Sequence, residues 1–312
     1  MNATSPSILI VGAGAIGAVF GSALARQGAQ VSVVCRSDFD HVARHGYNIR
    51  SGLLGDHTFR PHAVLREVAQ CTEPPEYLIL TVKVLQDVDR AALIRPAVGQ
   101  HTVIVLIENG IDIEAEIAGA FPANELLSAL AFIGVGRTSA GDIHHQLYGS
   151  LTMGRYPSGI TPAAERLAEL FDGARIGMKL TDNVVGARWQ KALWNTVFNP
   201  ISILGGVLDT QAMLRTEADR EFIRKAMLEV NAVATVVGCP SPPQLIDQLI
   251  AGTCAMPAYK TSMALDFEAQ RPMEIEAIIG NVVRTGRTHA VAMPALEAIY
   301  ALAKMVAGKV TG

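Results

Sequence analysis

The amino-acid sequence predicts an α/β protein in which an N-terminal doubly wound parallel sheet is followed by a C-terminal all-helical domain. Up to about residue 180, short apolar strands alternate with helices, which is the pattern of a parallel sheet covered by helices on both faces. From Thr181 onward the pattern is helical almost throughout, with Thr181 or Asp182 as the expected N-cap. We therefore expect two domains, comprising residues 1–180 and 181–312.

The first predicted element is a buried strand that runs directly into the glycine-rich stretch GAGAIG at residues 12–17. Its glycines have the G-x-G-x-x-G spacing of a dinucleotide-binding turn. The first glycine permits a tight turn, the second lets the backbone reach a pyrophosphate, and the third lets the next helix pack closely. The stretch predicts a Rossmann-type domain for a nicotinamide or flavin cofactor. The residues expected to contact this cofactor are Gly12, Gly14, Ala15, Ile16 and Gly17.

The residue that follows the second predicted strand, at residues 31–35, indicates which nicotinamide cofactor is bound. An Asp or Glu there would bind the ribose 2′-hydroxyl of NAD and repel a 2′-phosphate. This chain has Arg36, whose guanidinium suits bidentate phosphate binding, and Ser37 beside it is a neutral donor. We therefore expect NADP(H), and the alternative is an exposed loop arginine without such a role.

The remaining elements of the first domain are a small hairpin followed by alternating strands and helices. They are expected at residues 47–60 (hairpin), 77–82 and 102–107 (strands), 112–119 (helix), 126–153 (short strand-like runs), 162–171 (helix) and 174–179 (strand). Ligands of such sheets bind at the carboxyl ends of the strands. Lys83 and Gln86 follow one strand and Asn109 follows the next, so we expect all three to face the cofactor.

The helical half carries a stripe of polar residues on an otherwise apolar helix. Lys191, Asn195 and Asn199 recur every four positions, which places them within an arc of about 80° on one face. A helix that is apolar on most of its circumference should be buried, so these groups need partners. A polar ligand is the simplest partner, and a solvent-facing stripe is the alternative. Pro200 should kink or end this helix.

Two further segments of the helical half contain candidate residues. Ser262 is a candidate helix N-cap or ligand donor, and Glu274 and Glu276 lie in the first turn of another predicted helix. Acidic residues near a helix N-terminus are favourable without any further role, so this position alone does not assign a function to either glutamate.

Composition and charge exclude several classes of protein. The net charge of −3 and the lack of a basic stripe argue against nucleic-acid binding. The four isolated cysteines and the paired histidines lack the spacing of a metal site, so no metal is expected. There is no basic n-region and no run of about twenty apolar residues, so we expect a cytoplasmic protein without a membrane partner. A helical domain rich in apolar residues is compatible with a homodimer.

Four separated motifs together resemble the ketopantoate reductase family, the 2-dehydropantoate 2-reductases, over nearly the full length of the chain. They are VGAGAIG at residues 11–17, TVK with a following Gln at 81–86, K-x-x-x-N-x-x-x-N-P at 191–200, and S-M-x-x-D followed by E-I-E-x-I-x-G at 262–280. They also occur in the order found in that family. The resemblance implies NADPH-dependent reduction of ketopantoate, a small 2-oxo acid, to pantoate in pantothenate biosynthesis.

The resemblance also implies a role for each matching residue. Lys191 corresponds to the catalytic lysine and Glu274 to the assisting glutamate. Asn195, Asn199 and Ser262 correspond to substrate-binding residues, and Asn109 to a residue that contacts cofactor and substrate together. A lysine with the ordinary pKa of about 10.4 is protonated at neutral pH, so Lys191 would stabilise the developing alkoxide and then donate its proton.

Three positions depart from the family pattern, namely Glu108, Met273 and Tyr259. A negative charge at Glu108 is expected to disfavour an anionic substrate. Two alternatives to ketopantoate reduction therefore stay open. The first is an NADPH-dependent reductase of another 2-oxo acid, and the second is a non-catalytic NADP-binding sensor, against which the presence of Lys191 argues.

Overall fold

The computed structural model describes residues 5–308, and the chain divides into two compact units. The first unit takes in the chain up to Val82, Asp89–Glu108 and Glu114–Val184. The second takes in Lys83–Val88, Asn109–Ile113 and the chain from Val185 onward. The two short loops that follow strands of the first unit thus belong to the second.

The first unit is built on one sheet whose core is a run of parallel strands. The strand order is β4-β3-β9-β8-β7-β6-β1-β2-β5, with β10 beside β9. In this spatial order, every pair of neighbouring strands between β8 and β5 is parallel. Strand β8 pairs antiparallel with β9, and β3 pairs antiparallel with β4. The strands are β1 (Ser7–Val11), β2 (Gln30–Val34), β3 (Tyr47–Ser51), β4 (His57–Phe59), β5 (Val64–Leu65), β6 (Tyr77–Leu80), β7 (Val103–Ile107), β8 (Leu126–Ser139), β9 (Asp142–Arg155) and β10 (Gly177–Leu180). The Rossmann-type core predicted from the sequence is confirmed.

Helices cover both faces of this sheet, because parallel strands are buried on both sides. Ile8 and Ile10 of β1 pack in one core with α1 and α5, and Leu9 and Val11 pack in the opposite core with α3 and α4. The helices of this unit are α1 (Ala15–Arg26), α2 (Phe39–His45), α3 (Arg90–Ile94), α4 (Ala115–Ala120) and α5 (Pro162–Gly173).

Several sequence-based boundaries in the first unit require correction. The short strand-like runs expected at 126–153 are two long antiparallel strands, β8 and β9. The helix expected at 112–119 begins only at Ala115, because Asp112 adopts a left-handed backbone conformation with φ +56°. The strand expected at 174–179 runs from Gly177 to Leu180.

The second unit is helical. Its helices are α6 (Val184–Leu204), whose first residue closes the first unit, α7 (Thr210–Met213), α8 (Glu217–Val236), α9 (Pro243–Ala255), α10 (Ser262–Glu268), a π-helical turn (Glu276–Gly280), α11 (Asn281–Thr288) and α12 (Pro294–Ala307). Leu193, Val197 and Phe198 of α6 are fully buried in the core of this unit. Across residues 5–308, no helix is long and apolar enough to cross a bilayer.

The central helix α6 differs in two respects from the sequence-based expectation. It begins at Val184, so neither Thr181 nor Asp182 is its N-cap, and Thr181 Oγ1 instead accepts the backbone N–H of Asn183 at 3.1 Å. Pro200 lies inside the helix, which continues to Leu204. The missing N–H of the proline therefore does not end the helix.

Candidate functional site

The glycine turn of the first unit has the geometry that a pyrophosphate requires. Gly12 has φ +91°, and a Cβ there would lie 2.5 Å from Val82 Cγ1. A Cβ on Gly17 would lie 2.8 Å from Thr81 Oγ1, whereas one on Gly14 would meet nothing closer than 3.9 Å. The first and third glycines thus permit tight packing, and the second leaves its backbone open at the start of α1. These residues fit a dinucleotide phosphate at a helix N-terminus.

A tyrosine from the predicted hairpin supports this turn. Tyr47, fully buried in β3, donates its hydroxyl proton to the carbonyl oxygen of Ala13 at 2.7 Å. Thr81 Oγ1 donates to the carbonyl oxygen of Gly12 at 2.8 Å. Sequence reasoning missed Tyr47, because its partner lies 34 residues away in the chain.

Arg36 and Glu108 lie beyond the carboxyl ends of two parallel strands of the same sheet, β2 and β7, and differ in environment. Arg36 is exposed, and its side chain forms no hydrogen bond or ion pair within residues 5–308. The Glu108 side chain is fully buried, and its Oε2 lies 2.7 Å from Nη1 of Arg90. The negative charge of Glu108 is therefore paired inside the first unit, which corrects our expectation that it disfavours an anionic substrate.

Three of the sequence-predicted residues meet at one amide oxygen in the second unit. Lys191 Nζ donates to Asn109 Oδ1 at 2.8 Å, and Asn195 Nδ2 donates to the same oxygen at 3.4 Å. Lys191 and Asn195 share one face of α6, as the four-residue spacing predicts. Asn109 arrives from the loop Asn109–Ile113, which belongs to the same unit.

Asn199 and Ser262 form a second pair, one turn further along α6. The Asn199 side chain is buried, and its Oδ1 accepts Ser262 Oγ at 3.3 Å and the backbone N–H of Met263 at 3.4 Å. Its Nδ2 donates to the Asn195 carbonyl oxygen at 3.1 Å. The N-cap of α10 is Thr261, whose Oγ1 accepts the Ala264 N–H, so the alternative of Ser262 as a cap is wrong.

Glu274 and Lys83 link the loop Lys83–Val88 to the helices of the second unit. Glu274 Oε1 accepts the backbone N–H of Val84 at 3.0 Å. Lys83 Nζ lies 2.6 Å from Asp266 Oδ2 and donates to the Pro272 carbonyl oxygen at 2.9 Å. Gln86 in the same loop is exposed, and none of residues 5–308 hydrogen-bonds its side chain.

The remaining residues singled out in the helical half, Glu276, Met273 and Tyr259, contact other residues of the second unit. Glu276 contacts Arg284 at 2.5 Å and accepts the Tyr300 hydroxyl at 2.8 Å. Met273 is buried in the helical core, and the backbone N–H of Tyr259 donates to Thr210 Oγ1 at 3.1 Å.

The loop that carries Asn109 is fixed by residues that sequence reasoning missed. Arg188 Nη1 donates to the Gly110 carbonyl oxygen at 3.1 Å, and the Ile111 N–H donates to the Ala277 carbonyl oxygen at 2.9 Å. Asn281 Nδ2 donates to the Ile111 carbonyl oxygen at 2.6 Å. A signal for Arg188 was present, since it is a charged residue one turn before Lys191 on a mostly apolar helix.

The electrostatic environment brings the pKa values of Lys191 and Glu274 close together. Burial, together with the charge of Arg188, lowers the pKa of Lys191 to about 7, although Glu274 opposes the shift. Burial raises the pKa of Glu274 to about 7, against the effects of the Val84 N–H and the Lys83 charge. The ordinary lysine pKa that we assumed for Lys191 is thus corrected. Both groups can exchange a proton near neutral pH, as acid–base catalysts do.

This chain is similar to known proteins over both the glycine turn and the helical half. The model of the family described as ketopantoate reductase PanE/ApbA matches residues 8–158, and that of its C-terminal region matches residues 183–307. A 2-dehydropantoate 2-reductase of Nostoc sp. (strain PCC 7120) is 29% identical over 305 residues, which cover 96% of this chain and 95% of the relative. The crystal structure of 2-dehydropantoate 2-reductase from Methylococcus capsulatus shares 49% identity and 98% of each chain, with a TM-score of 0.91. The ternary structure of D-mandelate dehydrogenase with NADH and anilino(oxo)acetate, at 21% identity, shares the fold over 98% of this chain and 99% of that one, with a TM-score of 0.90.

Proposed function

The chain belongs to the ketopantoate reductase family, and from this membership we propose that it reduces 2-dehydropantoate to pantoate with NADPH in pantothenate biosynthesis. Ketopantoate reductases are NADP-dependent oxidoreductases that act on a CH–OH group. Membership confirms the enzyme class predicted from the sequence and accords with NADP(H) as the cofactor. The 2-oxo acid and the residue roles below are proposals.

The observation that carries the proposal is the convergence of Lys191 and Asn195 on Asn109, together with a lysine pKa of about 7. When bound, NADPH would supply the hydride for the C2 carbonyl carbon of the substrate. Lys191 stabilises the negative charge that develops on the carbonyl oxygen and donates its Nζ proton to it, which completes the hydroxyl group. Because its pKa lies near 7, the proton is given up readily at neutral pH and regained from solvent afterwards.

The neighbouring residues orient the substrate and hold the lysine proton. Asn195 and Ser262 offer neutral hydrogen bonds to the substrate carboxylate or terminal hydroxyl, so the lysine charge stays available for the reacting oxygen. Asn199 positions Ser262 through its Oδ1, besides its proposed substrate contact. Glu274 raises the proton affinity of Lys191 through its negative charge.

The cofactor is assigned to the first unit and its adjoining loops. We assign NADP binding to residues 1–180 and the substrate and catalytic role to residues 181–312, with Asn109 contacting both ligands. Residues proposed to hold the cofactor are Gly12, Gly14, Ala15, Ile16, Gly17, Arg36, Lys83 and Gln86. The ion pair of Lys83 with Asp266 gives this residue a structural role in addition.

The test is the loss of reduced-nicotinamide absorbance with ketopantoate and each of NADPH and NADH. We expect turnover with NADPH at a kcat/KM at least tenfold above that with NADH, from the loss of one charged contact. Turnover of another 2-oxo acid in preference to ketopantoate would replace the proposed substrate. Binding of NADPH without turnover of any 2-oxo acid would replace the enzyme by the sensor.

We also propose a homodimer in the cytoplasm. Exposed apolar side chains on α8 and α12, including Phe222, Leu302 and Met305, offer a surface for self-association. All four cysteines are free thiols, as expected of a reducing compartment. Sedimentation equilibrium tests the dimer, because a monomer mass at all concentrations contradicts it.

A further inference from the structure

Three arginines from distant parts of the sequence lie around the carboxyl end of β2. Arg36 lies two residues after the last residue of this strand, Val34. Arg66 follows β5, which pairs in parallel with β2, and the Cys35 N–H donates to the Leu65 carbonyl oxygen at 3.1 Å. In this register Arg66 is the lateral neighbour of Cys35, the residue before Arg36.

The third arginine reaches this place from the far end of β8. Arg137 Nη1 donates to Ser37 Oγ at 2.9 Å, although the two residues are 100 positions apart. Its charge is paired with Asp38 Oδ1 at 2.6 Å. The guanidinium of Arg137 therefore lies beside the residue that follows Arg36.

The carboxylate nearest to this end of the strand is already engaged by the protein. Asp38 is 8% exposed and accepts three hydrogen bonds, from Arg137 Nη1 at 2.6 Å, Ser37 Oγ at 3.0 Å and the Gly141 N–H at 3.2 Å. An acidic residue that reads the ribose of NAD must present a free oxygen to the 2′-hydroxyl. Asp38 instead holds Arg137 in place.

The cluster adjoins the glycine turn. The backbone N–H groups of Gly12 and Ala13 both donate to the Val34 carbonyl oxygen, at 3.2 and 3.1 Å. Because Val34 ends β2, the turn for the pyrophosphate directly adjoins the carboxyl end of this strand, two residues before Arg36.

The charges of two of these arginines are available to a ligand. Arg36 has no polar partner within residues 5–308. Arg66 lies 4.0 Å over the Phe39 ring and 2.7 Å from Asp40, but the side chains of this ion pair are 53% and 70% exposed. Exposed pairs contribute little, so a phosphate can displace Asp40 at small cost.

We propose that Arg66 and Arg137 complete, with Arg36 and Ser37, a three-guanidinium cradle that binds the 2′-phosphate of NADP(H). The inference rests on the proposed NADP cofactor and adds two residues that contribute to its recognition. Guanidinium groups suit a phosphate dianion because they present paired donors and a permanent charge. The dinucleotide fingerprint does not point to Arg66 or Arg137, because it concerns the residues just after β2 and both arginines lie far beyond them in the sequence.

The experiment compares two probes that differ only in the 2′-phosphate, adenosine 2′,5′-bisphosphate and adenosine 5′-monophosphate, by titration calorimetry without substrate. The variants are Arg66→Gln and Arg137→Gln, and Arg155→Gln is the matched control, since Arg155 is exposed at the end of β9. We expect each of the first two variants to weaken bisphosphate binding by about 10- to 100-fold, the worth of one charge-assisted hydrogen bond. Binding of the monophosphate and both affinities of the control should stay unchanged.

The possible results separate this inference from the proposed function. If wild-type protein prefers the bisphosphate and both arginine variants keep that preference, the cradle is wrong and the NADP assignment stands. An equal loss of both probes in a variant means that the arginine supports the fold, which also overturns the cradle. If wild-type protein shows no preference, the NADP assignment itself fails, whatever the turnover of ketopantoate.

Discussion

Two cations, the buried Arg90 in the first unit and the half-buried Lys191 in the second, are placed in opposite electrostatic environments. Arg90 is 2% exposed and lies between two carboxylates, Glu108 at 2.7 Å and Glu116 at 2.6 Å. Burial alone would lower its pKa, but the carboxylates outweigh burial and raise it. At Lys191 burial prevails, and one acceptor of its Nζ, at 2.8 Å, is the neutral oxygen of Asn109.

The difference separates a structural charge from the one that we propose to be functional. A cation held by two anions stays charged and contributes to one folded arrangement, whereas a cation at which burial is the largest influence can lose its proton at neutral pH. Removing Arg90 should therefore cost stability, and removing Lys191 should cost activity.

The largest expected effect is that of Lys191→Ala on turnover. Loss of the proton donor should lower kcat by about 10²- to 10⁴-fold while the Kd for NADPH stays within about twofold. Steady-state kinetics and cofactor fluorescence measure the two quantities. Lys225→Ala, at an exposed lysine of α8, is the control and should leave both unchanged. Undiminished turnover of the Lys191 variant would end its assignment as catalytic residue.

The complementary change is Arg90→Met. It leaves the buried Glu108 carboxylate without its cation, so the free energy of unfolding should fall by about 3–5 kcal/mol in urea denaturation. In the double variant Arg90→Met with Glu108→Leu, an apolar pair replaces the ion pair, and most of the loss should be recovered. A loss below about 1 kcal/mol in the single variant would show that Arg90 is not the structural charge we infer.

A smaller effect is expected in the pH dependence of stability at Glu274. Its pKa rises from 4.5 to about 7 on folding, so between these values the folded chain holds a proton that the unfolded chain has lost. Stability from this group is therefore full below about pH 4.5 and is lost as the pH rises to about 7. Glu274→Gln should gain thermal stability over wild type across that window and differ little below it. A constant difference at all pH values would contradict the raised pKa.

The smallest expected effect is a shift of the alkaline limb of the kcat profile in Arg188→Gln. Removing this positive charge relieves the repulsion on protonated Lys191, so its pKa should rise and activity should persist to higher pH. Arg188→Lys keeps the charge and should leave the limb in place, although either variant alters the contact with Gly110. If the Gln and Lys variants have the same profile, the charge of Arg188 does not act on Lys191.

The parts of the fold and site that could be predicted depend on local geometry. The glycine turn reflects backbone conformations within six residues, and the shared face of Lys191 and Asn195 follows from helix periodicity. Asn109 was assigned to the site because it follows a strand and because the family resemblance gave it a contact with cofactor and substrate, but its hydrogen bond with Lys191 was not predicted.

The environments that depend on long-range packing could not be predicted. Arg188 meets Gly110 across 78 residues and Val84 meets Glu274 across 190, so no local pattern reports either contact. Glu108 is different, because alternation along β7 was a local signal for the direction of its side chain that our sequence-based interpretation did not use. Ile104 and Leu106 face the core that contains Ile94 of α3, and Glu108 continues that series towards Arg90.

The assignment of the loops Lys83–Val88 and Asn109–Ile113 to the helical unit limits how this protein can be recombined. A chimera joined at Val184 would import a foreign Lys191 and Arg188 but keep the host's Asn109 and Gly110. The amide oxygen of Asn109 and the ammonium of Lys191 would then come from different parent proteins, whose sequences did not evolve together. Functional exchange of the helical half therefore requires three separate stretches of the gene to be inherited together.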